Sequence, residues 1–241
     1  MATISLDAPP VNALAEQSWR DLAEAIRSAS VDPEICVVVI AGSESLFCAG
    51  ADIKELVAAR GDRTTSLQVV SEVARAIRNA SIPVIAAIGG PAHGGGLELA
   101  LACDIRIAGP NASFAAAGVN MGLIASAGSL SRAIGDAAAR RMLLTGERTG
   151  VERALQIGII SEVVTTGSVI ERASEIAELI AAKPPLAVAA AKDALNAVPD
   201  TSTSDHDVLI ETAFTDLAAS NDHAEAIAAF IEKRPGTFTG T

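Results

Sequence analysis

The chain has 241 residues, half of them hydrophobic and a fifth charged, so it can bury a substantial core and is not a disordered polymer. A net charge of −11, with one Trp, five Phe and no Tyr, argues against a nucleic-acid footprint and leaves few platforms for stacking bases. Cys36, Cys48 and Cys103 are odd in number and lie outside any metal-ligand or redox spacing, so they read as reduced, packed thiols of a cytoplasmic protein.

Residues 1–10 hold neither a basic segment nor a long apolar run, so no signal peptide is expected there. Residues 4–6 alternate like a short strand that Pro9-Pro10 ends. Residues 13–29 carry helical spacing at Leu14, Trp19, Leu22 and Ile26. Residues 36–41 form a continuous apolar, β-branched run, as in a strand buried on both faces. A loop over 42–51 precedes helical segments at 52–59 and 66–79, and Pro83 separates these from a strand at 84–88. A glycine-rich loop, a short helix at 95–102 and a strand at 105–108 follow. The stretch 107–131 has no formal charge, but Gly, Ser, Asn and Pro110 interrupt it too often for a membrane span.

Past Arg132 the pattern is helical apart from a strand-like 159–164, with helices expected at 168–182, 186–198, 205–220 and 224–233. The expected organisation is therefore a strand/helix core over residues 1–183 and a helical region over 184–241. Leu209, Ala213, Phe214, Leu217, Ile227, Phe230 and Ile231 would form an apolar face on that region, covering either the core or a neighbouring subunit.

The chemistry centres on Gly94-Gly95-Gly96-Leu97-Glu98, which follows a strand-like run and opens a helix. Glycines allow close backbone approach, and a helix N-terminus aims N–H groups at negative charge. A dinucleotide fingerprint starting at Gly94 fails at Leu99, and a phosphate loop starting at Gly90 fails at Gly96, where Lys is required. A GxSxG nucleophile elbow is absent.

The run from Gly90 to Ala100, together with Phe47-Cys48-Ala49-Gly50-Ala51-Asp52-Ile53-Lys54, resembles the two fingerprints of the enoyl-CoA hydratase/isomerase (crotonase) superfamily. Asn12-Ala13-Leu14, Leu144-Thr145-Gly146, residues 154–163 and Phe230-Ile231-Glu232-Lys233-Arg234-Pro235 resemble further family elements in the right order. The resemblance implies an α/β fold, a crotonase-like spiral of strand-strand-helix units with a helical C-terminal region, assembled as a homotrimer or a dimer of trimers. It also implies a lyase of fatty acid metabolism that takes a coenzyme A thioester as substrate, with no separate cofactor, metal, nucleic acid or membrane partner. By position, the N–H groups of Ala51 and Gly95 would form an oxyanion hole for the thioester, and Glu98 would be the acid–base residue. A first-turn Glu is also what the helix dipole alone favours. His93, next to the glycines, is a further candidate for proton transfer. Ala51, Asp52, Ile53, Lys54 and Gly95 would contact the CoA ester, with Arg60, Arg63, Lys233 and Arg234 as further cations for its phosphates.

Two departures qualify the resemblance. The family's second catalytic glutamate falls on Gly118, and no Asp or Glu occurs between Asp104 and Asp136. The loop Gly122-Leu123-Ile124-Ala125-Ser126-Ala127-Gly128 also lacks the usual Pro-Gly-Ala-Gly-Gly run. The expected activity is enoyl-CoA hydration. The alternatives are a one-carboxylate decarboxylase, thioesterase or isomerase reaction, or an acyl-CoA-binding relative without turnover.

Overall fold

The computed structural model describes residues 1–58 and 64–241. Its first two-thirds repeat one unit: a strand for a large sheet, a shorter strand for a second layer, then a helix. The first turn of this spiral is β1 (Ala2–Ser5), β2 (Ala13–Leu14) and α1 (Glu16–Val31). The second is β3 (Val38–Ala41), β4 (Gly50–Ala51), α2 (Ile53–Ala58) and α3 (Thr64–Asn79). The third is β5 (Val84–Ile88), β6 (Pro91–His93) and α4 (Gly95–Ala102). The fourth is β7 (Ile105–Ala108), β8 (Ser113–Ala115), α5 (Ala127–Ile134) and α6 (Asp136–Thr145). Then come β9 (Thr149–Gly150), α7 (Val151–Ile157) and β10 (Glu162–Val163). The chain ends in α8 (Val169–Ala181), α9 (Pro185–Ala197), α10 (Thr203–Ala218) and α11 (Asn221–Glu232).

The large sheet is parallel throughout, in the order β1-β3-β5-β7-β10, with Val38 opposite both Ala2 and Val84. Its central strands are buried on both faces, which is why they read as continuous apolar runs. Val38 and Ile40 point into one core with α1, α3 and α4, while Val39 and Ala41 point into another with Val169, Ala173 and Ala177 of α8. The short strands form the second layer: β2 pairs with β4, and β6 pairs with β8 and, through β8, with β9. Cys48 stitches these pieces together, its N–H donating to the Pro91 carbonyl (3.0 Å) and its carbonyl accepting from the His93 N–H (3.1 Å).

Several boundaries differ from those read in the sequence. The helix expected over 13–29 begins only at Glu16, because Ala13 and Leu14 pair with Gly50 and Ala51 as a strand. That strand is set by Asn12, buried with φ 51°, whose amide donates to the Leu6 and Phe47 carbonyls. The strand expected over 159–164 is paired only at Glu162–Val163, since Ile159 and Ile160 turn into the core instead.

Candidate functional site

Two glycines bring the second layer against the start of α4. At Gly96 a Cβ would overlap the carbonyl oxygen of Cys48, so only hydrogen fits there. Gly50 has φ +103°, and a Cβ on it would sit 2.9 Å from the Gly95 nitrogen. β4 and the first residue of α4 are thus in backbone contact, with the buried Trp19 ring beneath Gly95. The Gly95 N–H is a first-turn donor, since the intrahelical ladder starts with the Glu98 N–H donating to Gly94 (3.2 Å). Asp52 donates its N–H to the Leu14 carbonyl (3.0 Å), so strand alternation turns the Ala51 N–H away from β2.

Glu98 is three residues beyond Gly95 and shares its helix face, with a side chain tilted back towards the N-terminus. It is half-buried on the wall of a cavity of about 650 Å³ that runs between α4, α5, α8 and α9. Ala51 and Gly95 lie outside that lining. Ser129 of α5, also on the wall, places its Oγ 3.0 Å and 2.9 Å from the two Glu98 carboxylate oxygens. The other carboxylate on the wall, Asp104, is already committed: it accepts from the Val84 N–H (2.7 Å) and from Lys192 Nζ (2.8 Å). Among the described residues, Glu98 is therefore the one carboxylate on this wall open to chemistry.

Gly118 lies in a short 3₁₀ turn, Ala117–Met121, and its carbonyl accepts from the Leu123 N–H (2.9 Å). A Cβ there would meet the Leu123 carbonyl oxygen at 3.0 Å, so the loop is closed over the position that holds the second glutamate in the resemblance. His93 ends β6, and its Nε2 is 3.0 Å from the Ser113 hydroxyl of β8. Burial, and then the charge of Arg148, lower its pKa, so the ring is neutral at physiological pH. It does not line the Glu98 cavity.

Asp52 caps α2, its Oδ1 accepting from the Lys54 N–H (2.7 Å), and Ile53 and Lys54 are exposed beside β4. Arg234 is spent on Glu225 and Glu232 (both 2.6 Å), while Lys233 is exposed. Arg60 and Arg63 lie outside the described residues. Among the described residues no group of three or more His, Cys, Asp or Glu could hold a metal ion, and no helix is long and apolar enough to cross a membrane.

Sequence reasoning missed Ser129, Ser113 and Lys192. Each acts across a long separation: 31 residues to Glu98 for Ser129, 20 to His93 for Ser113, and 115 to the Ile77 carbonyl for Lys192. No local pattern signals such pairs.

The family model for enoyl-CoA hydratase/isomerase matches residues 1–241. The mitochondrial enoyl-CoA hydratase of Pongo abelii is 34% identical over 239 residues, 98% of this chain and 82% of that protein. A 2,3-dehydroadipyl-CoA hydratase from Escherichia coli is 35% identical over 233 residues, 95% of this chain and 91% of its own. The crystal structure of an enoyl-CoA hydratase from Bacillus anthracis superposes with a TM-score of 0.92 at 32% identity, covering 99% of this chain and 95% of the other.

Proposed function

The chain belongs to the enoyl-CoA hydratase/isomerase family, and from that premise we infer that this lyase adds water across the double bond of an enoyl-CoA thioester using a single carboxylate. The observation that carries the reading is Glu98 standing one helical turn above Gly95, while Gly95 touches β4 at Gly50. The N–H groups of Ala51 and Gly95 hold the thioester oxygen as it gains charge, and one such donor is typically worth about 2.7–4 kcal/mol. Glu98 takes a proton from water as the oxygen bonds to the β-carbon, and an enolate forms in the cradle. The same carboxyl then passes that proton to the α-carbon. Water is consumed whole: its hydroxyl ends on one carbon, its hydrogen on the other.

The CoA portion runs along Asp52, Ile53 and Lys54, where Lys54 offers a local cation against the acidic whole. His93, neutral and tied to Ser113, takes a lesser part in proton transfer. Residues 184–241 form an assembling and covering region in a homotrimer or a dimer of trimers, and the enzyme works in the cytoplasm without a separate cofactor.

Gly118 favours a second reading, since a lone carboxylate also suffices for decarboxylation, thioester hydrolysis or isomerisation. Incubating the protein with enoyl, malonyl-type and hydroxyacyl thioesters and identifying the products by mass spectrometry separates these. A 3-hydroxyacyl product from the enoyl ester is expected. Tight binding of every ester with no product would instead identify a non-catalytic acyl-CoA binder.

A further inference from the structure

We propose that Ser129 is the positioning residue of this one-carboxylate site, holding Glu98 in both of its protonation states by switching from donor to acceptor. The proposal rests on the hydratase reading above. The Ser129 Oγ lies 3.0 Å and 2.9 Å from the two Glu98 oxygens and 3.2 Å from the Ser126 carbonyl oxygen. A hydroxyl has one hydrogen and two lone pairs, so it cannot donate to all three acceptors at once.

When Glu98 is ionised, its charge makes it the stronger acceptor, and the Ser129 O–H turns to it. When Glu98 carries the proton taken from water, its own O–H donates to the Ser129 Oγ, and the serine hydrogen turns to the Ser126 carbonyl. The proton stays covalently on Glu98 until the carboxyl turns it from the serine to the α-carbon, and Ser129 makes or breaks no covalent bond. The third partner is fixed in place: Ser126 adopts φ 62°, uncommon for a residue with a side chain, and its carbonyl also accepts from the Leu130 N–H (2.9 Å). In a two-carboxylate site a second acid could share the proton traffic, but Gly118 supplies none. Among the described residues, the Ser129 hydroxyl is the group that bonds the Glu98 side chain.

The test compares wild type, Ser129→Ala and Ser129→Thr, each alone and combined with Glu98→Gln, in the hydration of crotonyl-CoA, with thermal unfolding followed in parallel. In Ser129→Ala, kcat falls about 10- to 100-fold while KM stays within about two-fold. Ser129→Thr recovers most of that loss, and Ser129→Ala adds no further loss in the Glu98→Gln background. Should Ser129→Ala lower the unfolding temperature, Ser129→Cys, similar in size with a weak donor, reproduces the kcat loss in a folded protein. An unchanged kcat in Ser129→Ala, equal losses in the Ala and Thr variants, or additive losses with Glu98→Gln would each overturn the proposal. A wild type that turns over no thioester overturns the hydratase reading and this proposal together. An active wild type with an indifferent Ser129→Ala overturns this proposal alone.

Discussion

At Glu98 the expected loss follows from its being, among the described residues, the one carboxylate left open on the cavity wall. Glu98→Gln keeps the shape and removes the base, so kcat falls about 10²- to 10⁴-fold. Calorimetric affinity for a saturated acyl-CoA stays within a few-fold, because the proposed cradle is main chain. Five residues upstream, His93 reports on stability instead. Burial lowers its pKa below the ordinary 6.5, so the unfolded ring binds a proton that the folded ring resists. Its contribution is complete above that pH and is lost as pH falls below it, so the urea midpoint drops on acidification through that pH, and drops less in His93→Gln. The same variant retains turnover within about ten-fold of wild type, as a ring bonded to Ser113 should. Glu98, Gly95 and Ala51 could be singled out as candidates in the sequence because they sit in contiguous runs. Ser129 was not, because a lone serine in an uncharged loop looks like any other until folding carries it to Glu98.

Elements make the site by approaching one another closely, and Gly50 is where β4 and α4 nearly touch. Gly50→Ala forces a side chain into φ +103° and towards the Gly95 nitrogen, a strain of about 1–3 kcal/mol. Acyl-CoA affinity and turnover therefore both fall, visible as a raised KM together with a lowered kcat. At the far end of α4, Lys192 of α9 is buried, and its ammonium donates to the Ile77 carbonyl (2.8 Å), the Ile82 carbonyl (2.9 Å) and Asp104 (2.8 Å). This knot ties the helical C-terminal region to the spiral. Lys192→Met strips Asp104 of its buried counter-charge, leaving it the Val84 N–H, and takes a donor from each of the Ile77 and Ile82 carbonyls, so it lowers unfolding free energy by about 3 kcal/mol, read from urea curves. The large-sheet strands were readable as apolar runs buried on both faces. The two-residue strands β2 and β4 were not, since their pairing depends on the turn at Asn12 and the left-handed Gly50 rather than on any period.

On the scale of the molecule, the C-terminal helices keep part of their apolar face uncovered. Leu209, Ala213 and Leu217 are half-buried, but Phe214 is 73% exposed and Phe230 86%. Apolar surface of this kind is expected to meet another copy of the chain. Sedimentation of the wild type should therefore give a trimer or hexamer, and Phe214→Asp with Phe230→Asp should shift it to smaller species. The periodicity of residues 205–233 made this face legible, but a face that packs inward and one that packs on a partner share the same spacing. Whether one carboxylate adds water to an enoyl thioester in this fold is decided by turnover of crotonyl-CoA in heavy-oxygen water. One labelled hydroxyl is expected on the β-carbon of an intact thioester, formed about 10²-fold or more slowly in Glu98→Gln. Label appearing in a released free acid, or an unchanged rate in Glu98→Gln, would contradict the one-carboxylate reading.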